Sequence, residues 1–230
     1  MTSLVLGDLQ FEVRRSDRRR TLGLTVERDG SLVLTAPPGV ADARLERFAK
    51  QKRFWIYQKL AAKEALPPAL PVRRYVTGEG FPYLGRSFRL QLVAEQDAPV
   101  KLEAGRFKMR RDAAGQGRAA MIRWYTARAQ PWLAARVARY AGRARVEPAA
   151  VTVQDLGFRW GSCGQHGRLY FHWQSILLPS RIVDYVVVHE LAHLREPHHT
   201  PEFWRAVERI MPDWEQRRRW LAEHGHELMV

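Results

Sequence analysis

Residues 186–204, VVVHELAHLREPHHTPEFW, hold four of the chain's eight histidines within eleven positions. His189 and His193 are four residues apart, and on a helix that spacing projects both rings from one face, about one turn from each other. Two imidazoles so placed can meet one metal ion, and zinc is the ion that suits them. Glu190, beside His189, can face a metal-held water without being a ligand, take its proton as general base and return it to a leaving group. A straight helix cannot offer a third ring to the same tetrahedral ion. Pro197 supplies the break after which the chain can turn back, and His199 lies six positions beyond His193, giving His-Glu-x-x-His-x5-His. His198, one residue earlier, should point a different way. Glu202 or Glu208 from a later helix are the other candidates for the third ligand, and the spacing favours His199.

The competing reading is a histidine-rich helix end with no ion. The helix is apolar nearly all round (IVDYVVVHELAHL), so its rings should be buried, and buried imidazoles without partners are costly. All eight histidines lie at position 166 or later, in the one part of the chain that carries slight negative charge. Both observations favour a metal site.

The elements that must position these residues can be read from periodicity. Residues 3–36 alternate apolar and polar as short strands, with Asp29-Gly30 as a hairpin signal. From Ala41 to about Ala65, Leu45, Phe48, Ile56 and Leu60 recur at helical spacing. LPPALP at 66–71 is a breaker or linker. Residues 72–109 return to strand character, and a helix over about 117–143 is expected to bend or break at Pro131. VTVQDLGFRWGSC and GRLYFHWQSILL read as two strands. Ser180 caps a helix to about Glu196, since Pro197 disfavours helix at the residue before it. Thr200 as N-cap with Pro201 at the first position starts a helix to about Met211, and another runs from about Pro212 to His224. No repeat is evident. The expected architecture is α+β, with a β-rich N-terminal domain over 1–110 and a metal-binding hydrolase domain of strands and helices over 111–230.

Taken together, FRWGSC, GRLYFHW, DYVVVHELAHL…HHTPEFW and MPDWEQRRRWL resemble the YgjP-like metallopeptidase domain family of bacteria, which is itself similar to the SprT-like and Wss1-like (WLM) zinc proteases. The resemblance extends to RRTLGLTVERDGSLVLTAP and YLGRSFRLQL and is strongest over 158–221. It implies a zincin-like domain in which His189, His193 and His199 bind Zn2+ and Glu190 is catalytic. The family usually carries asparagines where this chain has Tyr170, His172 and His198, and this chain has no asparagine. That departure argues against position 198 as a ligand.

Neighbouring residues have plainer readings. Arg159 and Ser162 could contact substrate or an oxyanion, against a tight turn in which Trp160 packs and Gly161 allows a positive backbone angle. Cys163 reads as structural, because the nearby histidines are committed elsewhere. His172 reads as a half-buried sheet residue before it reads as a hydrogen-bond donor to the site. Phe203, Trp204, Trp214 and Trp220 have helical spacing and read as core.

The single cysteine excludes an internal disulfide framework. No run is long enough to cross a membrane, and the N-terminus lacks the order of a signal peptide, so a cytoplasmic protein is expected. The net charge of +14 is uneven: residues 1–110 carry 21 basic and 12 acidic side chains, 111–146 carry 8 and 1, and 147–230 carry 9 and 11. Charge alone does not separate a solvated basic surface from a polyanion-binding one.

These readings converge on a zinc-dependent hydrolase acting on peptides or unfolded protein, with strand 168–177 as the candidate edge for strand addition. Two rivals remain. One is a metal-dependent nucleoside triphosphate pyrophosphatase or phosphohydrolase, supported by the positive charge but by no Gly-rich phosphate loop. The other is a nucleic-acid-associated protease recruited by its basic regions.

Overall fold

The computed structural model describes residues 2–17, 19–26, 31–64, 73–157 and 159–225. Its architecture is mixed α/β, with three small mixed sheets and six helices among the described residues. The α+β expectation is met. The chain forms two compact units, Met1–Ala69 and Leu70–Val230, and no helix among the described residues is long and apolar enough to cross a membrane.

In the first unit β1 (Thr2–Leu6), β2 (Leu9–Arg15), β3 (Gly23–Val26) and β4 (Leu32–Ala36) form one sheet in the order β1-β2-β4-β3. Leu9, Phe11 and Val13 alternate inward along β2, as a half-buried strand requires. They meet Leu45 and Ala49 of α1 (Asp42–Gln51) and Ile56 of α2 (Arg53–Glu64) in one core. The apolar periodicity over 41–65 is thus shared by two helices that part at Lys52. The Asp29-Gly30 turn and the 66–71 linker lie outside the described residues.

The second unit repeats that topology, a relation not evident in the residues. β5 (Gly80–Tyr83), β6 (Arg86–Val93), β7 (Val100–Glu103) and β8 (Arg106–Arg110) are ordered β5-β6-β8-β7. In both sheets two antiparallel hairpins are joined by a parallel central pair. The β5–β6 and β7–β8 turns place Leu84-Gly85 and Ala104-Gly105 at positive φ, the geometry that two-residue hairpin turns need. The boundary expected near residue 110 lies inside this unit: Phe81, Leu90, Phe107 and Met109 share one core with Met121 and Tyr125 of α3 (Gly117–Ala144).

Helix α3 runs unbroken through Pro131, contrary to expectation. Pro131 and Ala127, whose carbonyl loses its partner, are exposed, so water can satisfy that carbonyl. Ala129 and Leu133 are fully buried on either side, and their packing holds the rod together. The third sheet, β10-β11-β9, comprises β9 (Ala150–Gln154), β10 (Gly161–Cys163) and β11 (Arg168–His172).

Three features fix α4 (Ser180–His193). The tip of the β5–β6 hairpin docks on the segment before it: Leu84 and Gly85 donate backbone N–H bonds to Ile176 and Leu177 carbonyls at 2.8 and 3.1 Å. A Cβ at Gly85 would lie 2.8 Å from the Pro179 Cα, so the approach needs glycine. Pro179, not Ser180, occupies the N-cap position. Buried Asp184 then ties α4 to α3, accepting the Tyr140 hydroxyl at 3.0 Å and lying 3.5 Å from Arg136 Nε.

Removing Arg136 leaves that carboxylate short of its cation in a low-dielectric site. Arg136→Met should cost about 3 kcal/mol, read from the denaturant midpoint, whereas exposed Arg139→Met should cost under about 0.5 kcal/mol. Equal small losses would show that Asp184 does not depend on Arg136.

Candidate metal centre

The second half of α4 carries His189, Glu190 and His193 on an element whose other side chains are nearly all buried. The two rings lie one turn apart with centroids 4.8 Å from each other. The helix ends at His193, earlier than expected, with Leu194 and Arg195 donating to the Leu191 and Ala192 carbonyls in a tightened last turn. The chain then turns through Pro197 and brings the His199 ring to 4.9 and 4.7 Å from those of His189 and His193. One nitrogen from each of His189, His193 and His199 lies within 4.8 Å of the others. His198 is exposed and outside the cluster, as is Glu202, which pairs with Arg205. Glu208 is also outside it.

Helix α5 (Pro201–Ile210) begins immediately after this turn, with Thr200 Oγ1 accepting the Phe203 N–H, as its cap-and-proline start predicts. That start seats Phe203, fully buried, against all three imidazoles at 5.0, 4.5 and 4.8 Å. Trp204 stacks on His199 and on Trp214 of α6 (Trp214–His224), under the Arg218 guanidinium. The core reading of Phe203 and Trp214 holds, and Phe203 also forms the floor of the cluster.

The protonation of the rings follows from their neighbours. His193 Nδ1 lies 3.1 Å from the Glu196 carbonyl, which only accepts, so Nδ1 carries the hydrogen and Nε2 keeps a free lone pair. Burial, then the charges of His193 and His199, push His189 down to about 3, so it stays neutral and able to ligate. His199 Nε2 stands 3.0 Å from His189 Nε2, while the buried His189 Nδ1 has no hydrogen-bond partner among the described residues. The protein alone therefore leaves polar demand in this cluster unmet. Three imidazoles converging on one point are a donor set that fits zinc.

Glu190 is 5% exposed, and burial pushes its carboxyl up to about 8, with the Cys163 backbone N–H and the Arg159 charge pulling the other way. Strand β10 makes its seat. A Cβ at Gly161 would lie 2.6 Å from Glu190 Oε1, so glycine is required for close approach and not for a positive φ. The β10–β11 register turns the backbone groups of Gly161 and Cys163 away from β11, which is how the Cys163 N–H reaches Glu190. Nothing but the Gly-Ser-Cys triplet marked this seat in the sequence.

Arg159, Ser162 and Tyr185 line the cleft of about 800 Å³ over these residues. Cys163 also lines it but is outside the histidine cluster, its thiol pushed up by burial and by Glu190, which agrees with a structural reading. His172 is buried away from the cluster: Nδ1 accepts the Gln174 N–H and Nε2 faces Asp155 at 3.2 Å. The edge assigned to 168–177 is corrected: β11 is the central strand, paired with both β9 and β10, and 173–177 is a 3-10 turn. Its ladder groups are used, whereas β10 is an edge.

A family model described as YgjP-like, metallopeptidase domain, matches residues 20–224. No curated protein matches the chain. Among solved structures, the crystal structure of the metallopeptidase zymogen of Pyrococcus abyssi abylysin is 19% identical, with a TM-score of 0.37, over 40% of this chain and 93% of that one.

The two buried groups give the metal-free protein opposite pH dependences. Neutral His189 favours the fold fully above pH 6.5 and loses that contribution as pH falls toward 3. Glu190 favours it fully below pH 4.5 and loses it as pH rises through about 8. With chelator present, Glu190→Gln should therefore stabilise the protein more at pH 9 than at pH 5, by about 3–5 kcal/mol. An equal shift at both pH values would show that burial does not hold the carboxyl neutral.

Proposed function

The chain belongs to the YgjP-like metallopeptidase domain family, and from that premise we propose that it is a zinc-dependent peptidase in which His189, His193 and His199 hold the ion and Glu190 is the general base. The observation that carries this reading is the convergence of three imidazoles beside a buried carboxylate in an open cleft. Zinc, when bound there, supplies a Lewis acid that acidifies water and polarises the scissile carbonyl.

The chain's own residues supply the rest. A cation at the three histidines favours the ionised form of Glu190, and burial keeps the proton affinity of that carboxylate well above that of an exposed one. Glu190 can accept a proton at a carboxylate oxygen and deliver it to the leaving amine nitrogen. The Cys163 N–H, bonded to the same carboxylate, and the close backbone of Gly161 limit its rotation. Strand β10 takes over the role first assigned to 168–177: its Gly161 backbone groups, turned away from β11, can pair with an extended peptide. Among the residues lining this cleft Arg159 is the one guanidinium, and no lysine joins it. That complement suits a peptide better than a triphosphate, which calls for several cations.

Glu190→Gln should keep about one zinc per chain and lose about a hundredfold or more in peptide turnover. His199→Ala should lose zinc and activity together, and chelation of the wild type should abolish turnover until zinc is restored. Normal turnover by the Gln variant would remove Glu190 from the mechanism. Zinc-dependent release of phosphate or pyrophosphate from nucleotides, with no peptide cleaved, would replace the peptidase reading with the phosphohydrolase one.

A further inference from the structure

A second cleft, of about 780 Å³, lies between residues 73–75 and the start of α3, and shares no lining residue with the histidine cleft. Arg73, Arg74, Arg118 and Arg123 line it, and no carboxylate does. Arg73 is committed locally: it donates to the Gly80 carbonyl at 2.7 Å, lies 3.7 Å from Glu79 and sits over the Phe81 ring. Arg74, Arg118 and Arg123 are exposed and make no ion pair among the described residues. Nor can α3 relieve them, since its 28 residues include six arginines and no acidic side chain. Like charges gathered in one concavity repel each other and raise the local potential for an anion.

The apolar wall of the cleft is held against local preference. Tyr75 has φ 56°, a left-handed conformation that a bulky residue rarely adopts. Glu79 stabilises it by accepting the Tyr75 N–H at 2.6 Å and the Arg74 and Val76 N–H groups at 3.3 and 3.4 Å. The Tyr75 ring stacks on Phe81 and lies so close over Gly117 that a Cβ there would be 2.3 Å from it. Most of the residue is buried, while its hydroxyl, which has no hydrogen-bond partner among the described residues, is open to water and to a ligand in the cleft. Burial pushes the Tyr75 phenol up, with Glu79 adding to that push and Arg118 and Arg73 drawing it down.

We propose that this cleft binds a phosphate ester, its oxygens paired with the Arg74, Arg118 and Arg123 guanidiniums and hydrogen-bonded by the Tyr75 hydroxyl. Three unpaired guanidiniums exceed what one carboxylate can neutralise and match the several oxygens of a phosphate through their planar forks. The cleft is far larger than a bare phosphate, and Ile122, Ala114 and Ala119 offer apolar surface to the remainder of the ligand. A nucleotide, free or within a nucleic-acid strand, presents that chemistry. The proposal is independent of the peptidase reading, because it uses none of the histidine-cleft residues.

The test is fluorescence anisotropy of a labelled oligothymidylate with the full chain at low salt, with competition by thymidine monophosphate and inorganic phosphate. Arg74→Ala/Arg118→Ala should weaken binding about tenfold or more. Tyr75→Phe should weaken it about threefold or more with the melting temperature unchanged, since that hydroxyl makes no contact within the fold. Arg139→Ala/Arg143→Ala removes the same charge from the far end of α3 and should change affinity less than about twofold. Competition by the mononucleotide at an affinity equal to the oligonucleotide's assigns a free nucleotide, and oligonucleotide binding at least about tenfold tighter assigns a strand; both support the site. Equal weakening by the two double variants, unchanged binding by Tyr75→Phe, or no binding of either probe to the wild type at low salt overturns it.

Discussion

Helix α4 must carry two imidazoles and a carboxylate on an element that is otherwise packed on nearly every side. Polar groups taken out of water need partners inside the protein, and the surroundings meet that need group by group. The Glu196 carbonyl serves His193, the Cys163 N–H serves Glu190, and His199 stands against His189. Where no hydrogen bond is made, shape takes over: Gly161 leaves room for the Glu190 carboxylate, and Phe203 lies under all three rings. Strand β10, the turn after His193 and the start of α5 are therefore arranged around the demands of one helix.

Those demands also explain why α4 is fixed so firmly at its other end. A helix advances 100° per residue, so a slip of one position would swing both histidines far from the returning His199. Docking of the β5–β6 hairpin tip on Ile176, Leu177 and Pro179 sets where the helix begins. The Asp184 contacts with Tyr140 and Arg136 set its rotation against α3, five residues before the first histidine. Since the fourteen-residue rod spans about 21 Å, constraints in its first turns reach the site without touching it.

Sequence was most informative where the histidine cluster depends on near neighbours. The His189–His193 spacing, the break at Pro197 and the Thr200-Pro201 start of α5 are local, and together they separate His199 from His198. Contacts distant in sequence left weaker signs. Gly161 resembled an ordinary turn glycine because its reason, the Glu190 carboxylate, lies 29 positions away. Strand β11 looked like an edge because its alternation shows one apolar face and not how many neighbours pair with it. The linker signal at 66–71 coincides with the division between the two units, but strand character over 72–109 resembles that over 3–36, and only packing against α3 assigns β5–β8 to the second unit. The shared topology of the two four-stranded sheets was equally hidden, since alternation and turn glycines constrain a sequence too loosely to make a repeat visible.

Charge was the least legible property. Thirty-eight basic residues could as well coat a solvated surface as gather anywhere in particular, and only the fold makes part of that surface concave. The strained Tyr75 backbone is held by Glu79, whereas the clustered guanidiniums of Arg74, Arg118 and Arg123 oppose folding with no ion pair among the described residues to offset them. Glu190 and His189 have the same character, a buried carboxylate and a buried ring nitrogen whose needs the protein meets only in part. Local rules that a stable fold would satisfy are broken at two separate places in the second unit, and in each the unmet need has one sign of charge. At the histidines the convergence is of lone pairs beside a carboxyl group; in the arginine cleft it is of guanidiniums with no carboxylate among the lining residues.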